Sequence, residues 1–172
     1  MQEEFKILAA AESGNLALFE SLITPTTNFN FVDTNGFSAL MHASANGHIV
    51  VTSSLIQAGA QLDLQDKYGR SALMFAASRN HAEIAQLLIE AGAQLDLQNK
   101  HGATALMIAA YYGHLSTASL LIEAGANITL QEHAGATALA WASANGHLYL
   151  AERLRIAKKE LDKNYNIANS SK

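Results

Sequence analysis

Histidine is the residue type here whose number and spacing could support metal or acid–base chemistry. There are seven histidines in 172 residues, and His48, His81, His114 and His147 recur at an interval of 33. Such a series suggests a zinc site or a proton relay, but the interval argues against both. If the repeated units stack, equivalent side chains stand one packing distance apart, about 8–10 Å for neighbouring helices. The ligands of a single zinc lie about 2.0–2.1 Å from the metal, so successive histidines do not share an ion. The four are therefore expected as structural histidines at the start of a helix. Asp63 and Asp96 recur in the same manner and form a surface row. An acid–base pair would need its carboxyls to converge within roughly 5–10 Å. Ser38 and Ser71 lack an accompanying His–Asp pair, and no glycine-rich phosphate loop occurs. Cysteine is absent, which removes disulfides, thiol catalysis and thiolate zinc sites. The chain is expected to be no enzyme and to need no cofactor or metal.

Composition narrows the remaining classes. Hydrophobic residues make up 49% and charged residues 15%, with a formal net charge of −4. A sizeable core is within reach. A nucleic-acid or anionic-membrane binder would be basic, so neither partner is expected. There is no apolar run of the length a membrane span needs. The amino-terminal MQEEFKILAAAESGN is acidic where a secretory signal is basic, and its apolar stretch is too short for one. A cytoplasmic protein is expected, with delivery into a host by a non-classical route as an alternative.

The elements that position these residues are set by a repeat. Asp33-Thr-Asn-Gly36 returns as Asp66-Lys-Tyr-Gly69, Asn99-Lys-His-Gly102 and Glu132-His-Ala-Gly135, each 33 residues on. Behind each glycine come SALMHAS, SALMFAA, TALMIAA and TALAWAS. Ser38, Ser71, Thr104 and Thr137 are N-cap types that open a short helix. Leu40, Ala43 and their equivalents supply its buried stripe. Gly47, Gly113 and Gly146 close it, with Asn80 in the same place in one copy, as expected where a left-handed residue follows a helix. A second helix runs from each recurrent histidine to Gly59, Gly92 and Gly125, and a hairpin-like loop then reaches the next unit. The 32 alanines favour closely packed helices.

This pattern resembles the ankyrin repeat family. The correspondence covers four full units (residues 33–65, 66–98, 99–131 and 132–164), and residues 1–32 resemble a degenerate fifth. The resemblance implies an all-α solenoid of stacked helix-turn-helix units with β-turn or hairpin fingers, forming one domain over residues 1–165. Alanine replaces the family's proline at Ala39, Ala72, Ala105 and Ala138, and Met41, Met74, Met107 and Ala140 replace its motif histidine. The methionines are expected in the core. So is Trp141, which aligns with His42, Phe75 and Ile108 between units. In the last unit Lys158 and Lys159 replace Gly-Ala, so its second helix is expected to run on through Leu161, with residues 166–172 a polar tail. Both ends look capped, which predicts a monomer.

The family implies partner binding by the fingers and the exposed side of the first helices. Those places hold Phe37 in the first full unit, Lys67, Tyr68, Arg70 and Arg79 in the second, and Lys100, His101, Tyr111 and Tyr112 in the third. Tyrosine and arginine are enriched at interface hot spots. The bases of the middle units map to this side, while Glu83, Glu90 and Glu123 map to the second helices, so a partner protein with an acidic surface is expected. The expected function is a non-catalytic protein–protein interaction module. Its biological role would be that of a bacterial effector, or of an inhibitor or immunity protein acting on one target. A small-molecule binding protein or an enzyme is the remaining alternative.

Overall fold

The structure is a computed structural model that describes residues 2–170. Five pairs of antiparallel helices follow one another among these residues. They are α1 (Gln2–Ser13) with α2 (Leu16–Ser21), α3 (Ala39–Asn46) with α4 (Ile49–Gln57), and α5 (Ala72–Ser78) with α6 (Ala82–Glu90). Then come α7 (Ala105–Tyr112) with α8 (Leu115–Glu123), and α9 (Ala138–Ala144) with α10 (Leu148–Ser170). The first helices pack in one layer and the second helices in another. The residues expected as caps set the helix starts. Ser38, Ser71, Thr104 and Thr137 have extended backbones, and each hydroxyl accepts the N–H three residues ahead. Leu40, Leu73 and Leu106 lie in the core beside Met41, Met74 and Met107, as expected. Ala43, Ala76, Ala109 and Ala142 are fully buried.

Each recurrent histidine ties its unit to the one before. The Nε2 atoms of His48, His81, His114 and His147 lie 2.9, 3.3, 3.2 and 3.0 Å from the carbonyl oxygens of Glu12, Ala45, Ser78 and Tyr111. Those carbonyls belong to the last turns of α1, α3, α5 and α7, which have no partner within their own helices. A carbonyl only accepts, so each Nε2 carries a proton. The glycine that closes the first helix of the preceding unit makes room for the ring. A Cβ on Gly113, whose φ is +72°, would stand 2.4 Å from His147 Nδ1. Asn80 is the exception, at φ 58°, and its side chain accepts a hydrogen bond from Thr117 in the next unit.

The loops repeat their own bonds. Asn30, Asp63 and Asp96 accept the backbone N–H groups of Gln61, Gln94 and Asn127, one unit later, at 2.8, 2.9 and 2.9 Å. Neighbouring fingers are joined through Lys67 N–H to Asn35, Lys100 N–H to Tyr68 and His133 N–H to His101, at 3.0, 2.9 and 2.9 Å. No strand forms among the described residues. The hairpin-like loops are tight turns, with one isolated bridge between Val32 and Ser38.

α10 runs through Leu161 and continues to Ser170, so the part of the expected polar tail that the structure describes, residues 166–170, is helical. No proline or glycine interrupts that stretch, so nothing local stops the helix. Residues 171–172 of the expected tail lie outside the described residues.

Candidate protein-binding surface

Each finger is built around its first residue, whose side chain folds back to accept two backbone N–H groups. Asp33 accepts from Asn35 and Phe37, Asp66 from Tyr68 and Arg70, and Asn99 from His101 and Ala103. Glu132 uses its two carboxylate oxygens separately, for Ala134 and Ala136. These two N–H groups, that of Ala134 first, hold the Glu132 carboxyl below its ordinary range, with a smaller contribution from nearby His133 and His101.

Arg70 lies across these fingers. Its guanidinium donates to a single oxygen of Asp66, Oδ2, from Nε at 2.8 Å and from Nη2 at 2.7 Å. The flat group also stands over the rings of Phe75, Tyr68 and Phe37, at 4.7, 5.0 and 5.6 Å from their centroids. Phe37, expected as a contact residue, is half-buried and packs 4.9 Å from Phe75 and 5.1 Å from His42. Lys67 donates to the Asn35 side chain at 2.6 Å and overlies Tyr68. Lys100 and His101 are exposed on the next finger, and Arg79 is exposed at the end of α5.

Next to these fingers a cleft of about 380 Å³ opens between the fingers and first helices of the second to fourth full units. Arg70 and Phe75 line one end, and Trp141 and Glu132 line the other. Its walls include Met107, Ile108 and the pair Tyr111 and Tyr112, with His101 at the finger edge. Tyr111 meets Trp141 edge-on at 5.2 Å and Tyr112 edge-on at 4.9 Å. Tyr112 is stacked 5.6 Å from His114. Arg70, His101, Tyr111 and Tyr112 are thus brought to one cleft. Lys67, Tyr68 and Lys100 stand on the fingers, and Arg79 lies outside the cleft wall.

Sequence reasoning passed over Glu132 and placed Trp141 in the core, whereas Trp141 is half-buried and forms part of the wall. The available signal was the loss of bulk around them. Ala103 and Ala136 replace the larger side chains that stand at that position in the preceding units.

Among the described residues, no three His, Asp or Glu side chains are grouped to hold a metal ion. No described helix is long and apolar enough to cross a membrane. Among curated proteins no sequence similar to this chain was found. The family described as ankyrin repeats (3 copies) matches residues 7–99 and, again, residues 91–167. Those two matches span all five helix pairs and end within α10, and the chain belongs to the ankyrin repeat family.

Proposed function

We propose that the protein is a non-catalytic interaction module that binds a partner protein through its fingers and the concave side of its first helices. Ankyrin repeats generally mediate protein–protein interactions. The observation that supports this reading most is the cleft beside Tyr111 and Tyr112, which are exposed and braced by Trp141 and His114. Tyrosine gives large contact area at low cost in side-chain entropy. The side chains that could have done chemistry are engaged otherwise, the histidines with carbonyls and Asp63 and Asp96 with the backbone of the next unit.

The complementary partner surface is acidic. Arg79 and Lys100 form no ion pair among the described residues, and Lys67 stands on the same side. A module of this kind acts by covering its target, which suits an inhibitor, an immunity protein or a bacterial effector that works in a cytoplasm. The test is capture of the partner from the source cell, followed by affinity measurement. Alanine at Tyr111, Tyr112 or Arg79 should each weaken binding by over about 1 kcal/mol, while alanine at Glu83 or Glu90 changes little. If the Glu83 and Glu90 variants lose the partner and the tyrosine variants keep it, the binding surface lies on the second helices instead.

A further inference from the structure

The finger carboxylates are not equally provided with cations. Asp66 has the permanent cation of Arg70 at 2.7 Å, whereas Asp33 has the ring Nε2 of His42 at 3.6 Å, a cation only when the imidazole is protonated. Asn99 is neutral and needs none. Glu132, which stands at the same position of the fourth full unit, forms no ion pair among the described residues. The position that holds Arg70 in the second unit holds Ala136 in the fourth.

Of the groups around Arg70, the carboxylate and one ring recur there, while the places of Phe37 and Tyr68 are taken by Ala103 and Ala134. Phe75, over which the Arg70 guanidinium lies, corresponds to Trp141. Asp66 corresponds to Glu132, and both Glu132 and Trp141 line the cleft. Tyr111 adds a second ring edge-on to Trp141. A solvent-accessible carboxylate, two aromatic rings and about 380 Å³ of open space stand where the chain elsewhere places its own guanidinium.

We infer that this end of the cleft receives an arginine side chain of the partner, paired with Glu132 and stacked on Trp141 as Arg70 is paired with Asp66 and stacked on Phe75. This rests on the concave-side reading above and names the anchor within that partner. Arginine suits the site better than lysine because a guanidinium is planar, forks onto a carboxylate and stacks on an aromatic ring. The carboxyl of Glu132 is already held in its charged form by two backbone N–H groups, so pairing requires no change in its ionisation. An acidic surface meeting Lys67, Lys100 and Arg79 around a central arginine gives the partner a recognisable charge pattern.

Trp141 is the single tryptophan of the chain, so its fluorescence reports on this place alone. The probes are the blocked peptide Gly-Arg-Gly and its citrulline and lysine counterparts, titrated into the full chain. A saturable change with the arginine peptide is expected, weakened about tenfold with citrulline, which keeps the shape and loses the charge. Glu132→Gln should weaken the arginine peptide by a similar factor. Ala136→Arg should fill the site from within and abolish the response. An equal response to the citrulline or lysine peptide, full binding by Glu132→Gln, or no saturable response to the arginine peptide overturns the inference. Partner capture separates the two readings. Capture lost in Tyr111→Ala/Tyr112→Ala but kept in Glu132→Gln and Ala136→Arg refutes the arginine anchor alone. Capture indifferent to the tyrosines refutes the concave-side reading, whatever the peptide does.

Discussion

Replacing Ser44 by alanine should stabilise the protein, although it removes a polar group from a native core. Ser44 and Thr52 are both fully buried, in α3 and α4, and the hydroxyl oxygen of each has no hydrogen-bond partner. A buried hydroxyl left unpaired costs about 1–3 kcal/mol relative to hydrated hydroxyl in the unfolded chain. Alanine is also the better helix former, by about 0.5 kcal/mol. Against this stands the loss of one oxygen's packing, about 0.1–0.2 kcal/mol for each atom pair. The repeat itself shows that alanine fits, because Ala77 and Ala110 occupy the equivalent positions with no exposure. A net gain of about 1–2 kcal/mol is expected. At about 2–4 °C per kcal/mol for a chain of this size, Tm should rise by roughly 2–8 °C in thermal unfolding followed by circular dichroism. Thr52→Val exchanges a hydroxyl for a methyl in the same surroundings and should act in the same direction. In a linear stack the gain should be felt most by the helices around α3, as slower amide exchange. A lower Tm in both variants would refute the reasoning. It would mean that buried water or a neighbouring carbonyl satisfies these hydroxyls.

Two further outcomes follow from the same geometry. Ala72→Pro and Ala105→Pro should each raise stability by about 0.4–1 kcal/mol in denaturant titration, because both residues open a helix behind an extended cap (ψ 169° at Ser71 and Thr104) that tolerates a following proline; destabilisation of both would show that the ring does not fit against these buried positions. Glu132 has a folded pKa below its ordinary 4.5, so its contribution to stability is complete above that value and is lost as pH falls through the lower folded value. The Tm deficit of Glu132→Gln should therefore close on acidification, and a deficit independent of pH would show that the carboxylate charge is not what holds the finger.

What the sequence made legible was the part that depends on neighbouring residues. A cap at Ser38 or Thr104 needs only the next helical turn, and a left-handed Asn80 needs only the end of α5, so both were readable from residue type and place. The registered spacing then fixed how many helix pairs exist. What stayed hidden depends on residues a whole unit away. His81 reads as a helix start, yet its ring reaches the carbonyl of Ala45, and Asp63 reads as a surface acid, yet it holds the N–H of Gln94. Phe37 looks like an exposed aromatic because the sequence does not show that Phe75 and Arg70 meet it across the unit boundary. Trp141 was hidden for the opposite reason, since the small residues that leave it half-open belong to other positions of the repeat.

The same interactions that hold the stack also hold the candidate binding residues. Tyr111 offers its carbonyl to His147, while its ring rests against Trp141, so both its backbone and its side chain are fixed by the fourth full unit. Tyr112 is stacked on His114, whose ring is itself anchored to Ser78 in the second. Arg70 is held between Asp66 and three rings from two units. Freezing a rotamer-rich side chain on association costs about 0.5–1.5 kcal/mol, and here most of that ordering is already complete in the free protein. The family frame thus does more than present varied side chains at equal intervals. Where Tyr111 and Tyr112 interrupt the alanine-rich pattern, the two histidines orient them in the free protein, His147 through the Tyr111 carbonyl and His114 through the Tyr112 ring, so a change to either histidine should disturb the candidate surface.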